Sequence, residues 1–222
     1  MNRNKTDAVA PAFLNGGGDV GALMRTQDWS TTCLGHPANW PQSLRTLVEL
    51  MLNSKFPMFL AWGPELCTLY NDAYVEILGK KHPWALGRRF EEVWPEIWKD
   101  LLPLVRQALA GEAVYHENLP LMMQRHGYDE PVWFTFSYSP VRDESGSVAG
   151  MYCACVETTE QVVAERYRNE ENERFRELFE QAPGFMAILR GRDQVFDITN
   201  QAYSQLVGHR DIVGKPAREA LP

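Results

Sequence analysis

The residues best suited to chemistry in this chain are its five histidines and four cysteines. The histidines lie mostly beside proline, glycine or charged residues in expected loops, at His36, His82, His116, His126 and His209. A metal site would require several of them to converge with a thiol. The sequence contains no nucleophile elbow, P-loop, dinucleotide fingerprint, zincin motif or kinase motif set. We therefore assign no catalytic residue and no metal ligand to this chain.

The cysteines Cys33, Cys67, Cys153 and Cys155 have no CxxC spacing and do not form the pattern of a disulfide framework. We expect reduced thiols. Cys153 and Cys155 share one face of a predicted strand, where small apolar side chains fill space. The alternative is an enzyme with a redox or metal site at these two thiols, which predicts thiol-dependent turnover or bound metal.

Composition limits the classes of function. The chain has 222 residues, 45% of them hydrophobic, which is enough for one or two modest cores. A formal net charge of -7 without a basic stripe argues against nucleic-acid binding. No apolar run reaches the ~18 residues that span a bilayer, and residues 1–10 lack the apolar region of a signal peptide. We expect a cytoplasmic protein without a membrane span.

One pattern occurs twice, as LYNDAYVEILG and ITNQAYSQLVG. The residues shared at identical spacing are Asn71, Tyr74 and Gly79 in the first copy and Asn200, Tyr203 and Gly208 in the second. Each copy follows a short apolar stretch and leads to a glycine with a basic neighbour, Gly87-Arg88 or Gly214-Lys215. An internal repeat of this kind indicates two related modules.

The repeat also predicts local structure. Asparagine is a favoured helix N-cap, and the apolar residues after Asn71 lie on one stripe at helical spacing until Gly79 ends the helix. Asn71 and Asn200 are therefore predicted structural caps. Each cap follows a predicted hairpin of two short strands.

Other elements follow from periodicity and turn residues. Residues 1–18, with three consecutive glycines, are predicted to be a mobile leader. A helix that opens at Pro41 has one apolar stripe, and another helix is expected at Leu101 to Ala110. The predicted strands are Pro57 to Trp62, Leu66 to Tyr70, Ala113 to Met123, Val132 to Pro140 and Ser147 to Val156.

These elements in this order resemble a PAS domain, a small sensory fold of bacterial signalling proteins. The resemblance covers residues 54–157 well and Phe175 to Pro222 as the beginning of a second copy. It implies an α+β fold with a five-stranded antiparallel sheet, short helices on one face, an N-terminal cap helix and a C-terminal linker helix. The cap helix would pack on the open face of the sheet, and the alternative is an ordinary surface helix.

The resemblance also implies a division of the chain. We expect a disordered leader at 1–18, cap helices at 19–53, a first PAS domain at 54–157 and a helical linker at 158–180. Residues 181–222 would be the first half of a second, truncated PAS domain. The chain would then be a fragment of a longer protein, with its output domain downstream.

PAS domains hold haem, flavin, small metabolites or nothing in the cup of the sheet, so the resemblance leaves the cofactor unknown. The candidate pocket-lining residues are Phe59, Tyr70, Tyr74, Phe90, Trp94, Trp98, Phe134 and Phe136. These aromatic side chains either line a pocket or fill it, and a domain this small favours filling. The helix after Gly87 has no cysteine of the flavin-photosensor type, so cysteinyl-flavin photochemistry is not supported. A bound haem would need an axial ligand inside the cup, and His116, on the predicted strand after Gly111, is the candidate.

From Glu157 the chain has 25 residues without glycine or proline and a sparse apolar seam. This pattern is typical of a two-stranded coiled-coil linker, and the alternative is a solvated connector helix. The start, Glu157, Thr158 and Thr159, resembles the acidic-x-Thr junction between PAS domains and their output helices. Here the carboxylate would pair with a cation and the threonine would cap the helix.

These observations favour the sensory region of a bacterial regulator, with the output in a two-component sensor histidine kinase domain downstream. A ligand, redox or other signal would pass through the linker, and cap and linker helices would form a homodimer. The alternative is a ligand-free PAS scaffold for dimerisation or protein interaction.

Overall fold

The computed structural model describes residues 11–221, and it divides into two compact units between Thr159 and Glu160. No helix within the described residues combines the length and apolar character that a bilayer span requires.

The first unit is built on one antiparallel sheet. Its strands are β1 (Met58–Trp62), β2 (Cys67–Tyr70), β3 (Val114–Met123), β4 (Glu130–Arg142) and β5 (Val148–Glu157). Their order across the sheet is β2-β1-β5-β4-β3. The prediction of a five-stranded antiparallel sheet is confirmed, and each strand begins and ends within two residues of its predicted bounds.

The alternation of apolar and more polar residues along a strand determines which face of the sheet is buried. In β4, Val132, Phe134, Phe136 and Tyr138 are buried while the residues between them are partly exposed. Successive side chains of a strand point to opposite faces. In β1 and β2 both faces are buried, since Phe59 pairs with Tyr70 and Leu60 with Leu69 and all four are at most 2% exposed.

Helices between β2 and β3 cover one face and form the cup. They are α3 (Val75–Leu78), α4 (Phe90–Val93) and α5 (Trp98–Leu109), with a 3-10 turn at Asp72–Tyr74. Helix α5 buries Leu101, Val105 and Ala108 and contacts β3, β4 and β5. The predicted helix after Asn71 is therefore part 3-10 and part α, and α5 begins three residues earlier than expected.

The N-terminal extension contains two α-helices, α1 (Gly18–Thr26) and α2 (Gln42–Asn53). Helix α2 buries Leu44, Val48, Met51 and Leu52 and contacts β1 and β2. These are the two strands that are buried on both faces.

Residues 11–18 are ordered, which corrects the prediction of a leader that extends to residue 18. A 3-10 turn, Ala12–Leu14, buries Phe13 and Leu14. The glycines allow close contact, because a Cβ atom at Gly18 would collide with the Asp72 carboxylate. That carboxylate accepts a hydrogen bond from the backbone N–H of Val20 at 2.7 Å. Residues 1–10 of the predicted leader lie outside the described residues.

A disulfide joins Cys33 to Cys67, which corrects the expectation of four reduced thiols. Their Cα atoms are 6.2 Å apart, within the usual range for a disulfide. The two residues are 34 positions apart, and only the fold brings the N-terminal extension to β2. Cys153 and Cys155 are free and buried.

Asn71 holds several segments of the first unit together. Its Oδ1 accepts hydrogen bonds from the backbone N–H groups of Met58 and Tyr74, at 3.1 and 3.2 Å. Its Nδ2 donates to three carbonyl oxygens, of which the nearest is that of Phe56 at 2.7 Å. One of the others belongs to Met51, in the last turn of α2. The side chain thus caps the helix, as predicted, and also fixes the chain between α2 and β1.

The second unit contains most of α6 (Thr159–Gln181), followed by the strands β6 (Ala187–Arg190) and β7 (Val195–Thr199) and the helices α7 (Gln201–Leu206) and α8 (Ala217–Ala220). The strands form an antiparallel pair. A small core contains Phe196, Ile212 and Ala220.

The two copies of the repeat have the same local structure. Asn200 accepts hydrogen bonds from the N–H groups of Met186 and Tyr203 and donates to the carbonyl oxygen of Gly184 at 2.8 Å. These partners occupy the positions of Met58, Tyr74 and Phe56 in the first copy, and both asparagines are fully buried. After each helix the chain returns to pair with the outer edge of the second strand, through the bridges Cys67 to Arg89 and Val195 to Pro216.

We expect Asn71→Ala to destabilise the first unit by about 3 kcal/mol, because the substitution leaves several buried backbone groups without partners. All seven tryptophans precede residue 160, so tryptophan fluorescence during urea unfolding reports on this unit. The exposed Asn39→Ala is the matched control and should change stability by about 0.5 kcal/mol or less. Equal effects of the two substitutions would show that Asn71 does not hold the fold together.

Candidate functional site

A cavity of about 40 Å³ lies in the cup between the sheet and the helices α3 to α5. The residues that line it are Phe59, Tyr74, Ile77, Phe90, Trp94, Ile97, Leu101, Leu121, Met123, Phe134, Phe136, Tyr138, Cys153 and Cys155. Pockets for small ligands usually measure about 300–1,000 Å³. The cup is therefore nearly filled by its own side chains.

Six of the eight candidate pocket residues line this cavity: Phe59, Tyr74, Phe90, Trp94, Phe134 and Phe136. Their rings pack on one another, with the centroids of Phe59 and Phe90 4.8 Å apart in a stacked arrangement. Such contacts add about 0.5–1.5 kcal/mol beyond burial. These six aromatic side chains both line the cavity and fill most of the cup.

Tyr70 and Trp98 do not line the cavity. The Tyr70 hydroxyl lies 2.9 Å from Nδ1 of His82, because β2 is the outermost strand and its side chains reach the segment beyond α3. Burial raises the pKa of Tyr70. Trp98 is half-buried at the start of α5 and meets the edge of Phe90 from outside the cavity, with centroids 6.0 Å apart.

The cavity is also lined by Tyr138, Cys153 and Cys155, which were not among the predicted pocket residues. Tyr138 continues the alternation of Phe134 and Phe136, and this signal was sufficient to find it. The other residues that were missed are Ile77, Ile97, Leu101, Leu121 and Met123, aliphatic side chains and a methionine that sequence alone does not separate from ordinary core.

The polar groups in the cup are poorly suited to catalysis. Burial raises the pKa of Cys153, Tyr74 and Tyr138 well above their ordinary values, so these groups are neutral near pH 7. A thiol must ionise to act as a nucleophile or a metal ligand. Within residues 11–221, no three His, Cys, Asp or Glu side chains form a group that could bind a metal. His116 does not line the cavity.

A partly buried lysine contacts the wall of the cup next to the cavity. Lys81 Nζ donates to the Val93 carbonyl at 2.6 Å and to the Glu96 carboxylate at 2.7 Å, and it lies 4.1 Å from the centroid of the Trp94 ring. Burial lowers the pKa of Lys81, and the hydrogen bond to Glu96 opposes this shift. Glu96 also accepts a hydrogen bond from the backbone N–H of Gln124, at the end of β3.

Arg125, which follows Gln124, connects the loop between β3 and β4 with the end of β5. Its guanidinium donates to both carboxylate oxygens of Glu157, at 2.7 and 3.0 Å, and to Glu130 at 2.8 Å. Arg125 is only 7% exposed. We call Arg125, Glu130, Glu157 and Thr159 the junction cluster.

The threonines of the junction differ from the expectation. Thr159, at the start of α6, donates its hydroxyl to Glu157 at 2.8 Å and accepts a hydrogen bond from the Trp133 backbone N–H at 3.0 Å. It therefore ties the helix start to β4 instead of capping the helix. Among the described residues, the buried Thr158 hydroxyl has no hydrogen-bond partner. Thr158 contributes to the junction through its backbone N–H, which donates to the Trp133 carbonyl, and nothing in the sequence indicated this contact.

The charges of the junction cluster stabilise one another. Burial opposes ionisation of Glu157, but the hydrogen bonds from Arg125 and Thr159 outweigh it and lower the pKa of Glu157 below its ordinary value. Burial likewise opposes the charge of Arg125, and the hydrogen bonds to Glu157 and Glu130 raise its pKa. At neutral pH Glu157 and Arg125 are therefore both charged.

Helix α6 exposes large apolar side chains. Val163, Tyr167, Phe175 and Leu178 are between 51% and 64% exposed, and they follow one another at spacings of four, eight and three residues. Residues three or four apart lie on one face of a helix. We call these four residues the α6 seam.

We expect Glu157→Gln to remove a pH-dependent part of the stability of the first unit. A carboxylate whose pKa is lowered by folding stabilises the folded state above its unfolded pKa, near 4.5, and this contribution disappears as the pH falls through the folded value. The difference in unfolding free energy between the natural chain and Glu157→Gln should therefore be largest near pH 7 and should shrink below pH 4.5.

Urea unfolding followed by tryptophan fluorescence between neutral and acid pH measures this difference. Glu170→Gln, at an exposed position of α6, is the control and should differ from the natural chain by a constant small amount. A difference for Glu157→Gln that does not vary with pH would contradict the assigned charge network.

Comparison with known families assigns the first unit. A family model described as the PAS fold matches residues 65–163. This segment includes β2, all the cup helices, β3 to β5 and the start of α6. A comparison with curated proteins finds no match.

Three solved structures show how the chain compares with individual proteins. An RNA-binding light-oxygen-voltage receptor is 20% identical with a TM-score of 0.42, and the match covers 63% of this chain and 41% of the receptor. The PAS domain of a protein from Colwellia psychrerythraea is 12% identical with a TM-score of 0.41, over 53% of this chain and 98% of that domain. The PAS domain from Bordetella pertussis BvgS is 19% identical with a TM-score of 0.37, over 60% and 99%.

The chain thus spans less than half the length of the light-oxygen-voltage receptor. The assignment rests on the family match together with the observed sheet and cup. Residues 65–163, which form most of the sheet and all of the cup, are thus a PAS-fold domain, a member of a family of sensory modules.

Proposed function

We propose that this chain is the input region of a signal-transduction protein and that a change in the packing of the cup reaches α6 through the junction cluster. The observation that carries the proposal is the bidentate ion pair of Arg125 with Glu157, two residues before the helix begins. A PAS domain supplies the general sensing role. The junction cluster supplies a defined connection between the sheet and the start of the helix.

A short path of contacts supports this direction of signalling. Met123 lines the cavity, the Gln124 N–H binds Glu96 on the opposite wall, and Arg125 binds Glu157. Three consecutive residues at the end of β3 therefore contact the cavity, the cup wall and the junction. Coupling through such a path requires an element with two arrangements, and in this proposal that element is the loop between β3 and β4.

The finer proposal is a two-component sensor histidine kinase with its catalytic domain downstream, so that this chain itself is not an enzyme. Two modules with the same asparagine-centred structure, separated by a charged 23-residue helix, support a relay from module to module. In this proposal residues 181–222 are the opening of a second PAS domain. The proposed location is the cytoplasm, where a disulfide such as Cys33 to Cys67 would be redox-responsive.

The proposed partner is a second copy of the chain, bound through the cap and linker helices. The α6 seam supports this choice, since four large apolar side chains on a highly charged helix favour pairing with another helix.

A ligand-free scaffold is the second candidate function, and the small cavity favours it. A volume of about 40 Å³ has no room for a flavin or a haem without a large rearrangement of the cup. Mass spectrometry of the purified chain under native conditions separates the two functions. A bound small molecule supports sensing by ligand, whereas an empty dimer supports the scaffold.

We expect the full chain to dimerise and Tyr167→Glu to raise the dissociation constant of the dimer about tenfold or more, because a charge is placed in the α6 seam. Asn169→Glu adds the same charge at an exposed position on another face of the helix and is the matched control. Sedimentation equilibrium of the three proteins measures the constants. A natural chain that remains monomeric at its highest soluble concentration, or equal effects of the two substitutions, would contradict the proposed dimer.

A further inference from the structure

The disulfide between Cys33 and Cys67 crosses from the N-terminal extension to the outermost strand of the sheet. Cys33 lies in a loop between two 3-10 turns, Trp29–Thr31 and Pro37–Asn39, and it is exposed. Cys67 lies in β2 and is fully buried. A dissolved thiol therefore reaches the bond from the side of Cys33.

We propose that this disulfide is a reversible redox latch and that Cys33 is its site of thiol–disulfide exchange with low-molecular-weight thiols. The latch would be closed under oxidising conditions and open under reducing ones. This inference goes beyond the proposed signalling role and does not depend on it, since it rests only on the two cysteines and their surroundings.

The surroundings of Cys67 accommodate the open state. Its sulfur lies 3.3 Å from the carbonyl oxygen of Gly87. After reduction, the Cys67 thiol has this carbonyl as an acceptor for its S–H group, so the buried polar atom keeps a partner.

The loop that carries Cys33 has its own anchors. The indole N–H of Trp29 donates to the Met24 carbonyl at 2.8 Å, and that of Trp40 donates to the Gly35 carbonyl at 3.0 Å. The two buried rings meet edge to face, with centroids 4.9 Å apart. Opening the latch therefore releases one covalent tie and leaves the loop folded, which is what a reversible device requires.

The latch lies beside the wall of the cup. The Thr32 side chain packs against Gly87, where an added Cβ atom would approach Thr32 Cγ2 to 2.8 Å. Three residues further on, Phe90 lines the cavity and its N–H donates to the Leu66 carbonyl at 3.0 Å, next to Cys67. Closing the latch holds the Cys33 loop against the segment 87–90 and should restrict its motion.

The exchange reaction balances with a disulfide of the glutathione class as oxidant. The Cys33 thiolate attacks oxidised glutathione, which forms a mixed disulfide at Cys33 and releases one glutathione thiolate. The Cys67 thiolate then attacks the Cys33 sulfur, forms the protein disulfide and releases the second glutathione. Two protein thiols are oxidised by two electrons, their two protons pass to the released thiolates, and reduction follows the reverse path.

The other two thiols provide an internal control. Cys153 and Cys155 are buried in the cup and are not paired with each other. They should remain thiols over the range of conditions in which the latch opens and closes.

The test uses the full natural chain, equilibrated with reduced and oxidised glutathione in varied ratio and then quenched with acid. We expect two alkylatable thiols after denaturation at the oxidised end and four at the reduced end, in one transition. Trypsin separates the two cysteines, because Arg45 and Lys55 lie between them. At intermediate ratios, glutathione should be found on the Cys33 peptide and not on the Cys67 peptide.

Amide hydrogen exchange distinguishes a latch from a passive crosslink. If the disulfide only joined two rigid segments, its reduction would not change the exchange rates at residues 87–90. On reduction, exchange at residues 87–90 should become faster by about tenfold. Cys33→Ser should reproduce this increase under oxidising conditions, whereas Asn39→Ala, at an exposed position of the same N-terminal extension, should not. The proposal is overturned if the oxidised chain still has four thiols, if glutathione is found on Cys67, or if exchange at 87–90 is the same in both states.

Discussion

The pairing of Arg125 is the constraint on which the rest of the first unit depends. A guanidinium that is 7% exposed must have its charge compensated, and Glu157 and Glu130 supply the compensation. Removing Glu157 would cost about 3 kcal/mol, at the low end for buried pairs, because the Glu157 side chain keeps 28% exposure. The same contact fixes the loop after β3, the end of β5 and, through Thr159, the start of α6. The ion pair thus joins all three places in one network of contacts.

The packed cup sets the kind of signal that this domain can use. A cavity of about 40 Å³ among fourteen mostly apolar side chains behaves like ordinary protein core, in which a shift of one side chain displaces its neighbours. Met123 is part of this core, and the two residues that follow it, in the loop after β3, bind Glu96 and Glu157. The disulfide between Cys33 and Cys67 lies beside Gly87, in the segment that leads to Phe90. Under the proposed account, a change at either place would act on the cup without any large ligand.

Local signals in the sequence predicted the strands and the repeat. Alternation in β4 identified its buried face, and the spacing around Asn71 and Asn200 predicted two helix caps that prove to have matching hydrogen bonds. Nonlocal contacts were not predictable. Cys33 and Cys67 are far apart in sequence. The three consecutive glycines suggested mobility, because the contact of Gly18 with Asp72 depends on the fold. For the same reason Arg125 could not be identified as the cation that pairs with Glu157.

The most direct test of the account is a double-mutant cycle between the cavity and the junction, read by amide hydrogen exchange at residues 160–163 of α6. The cycle compares the natural chain with Met123→Ala, Arg125→Gln and the double variant, and the exposed Met122→Ala serves as the control. We predict that Met123→Ala changes this exchange when Arg125 is present and adds nothing when residue 125 is glutamine. Additive effects of the two substitutions would show that the junction cluster does not transmit changes from the cup.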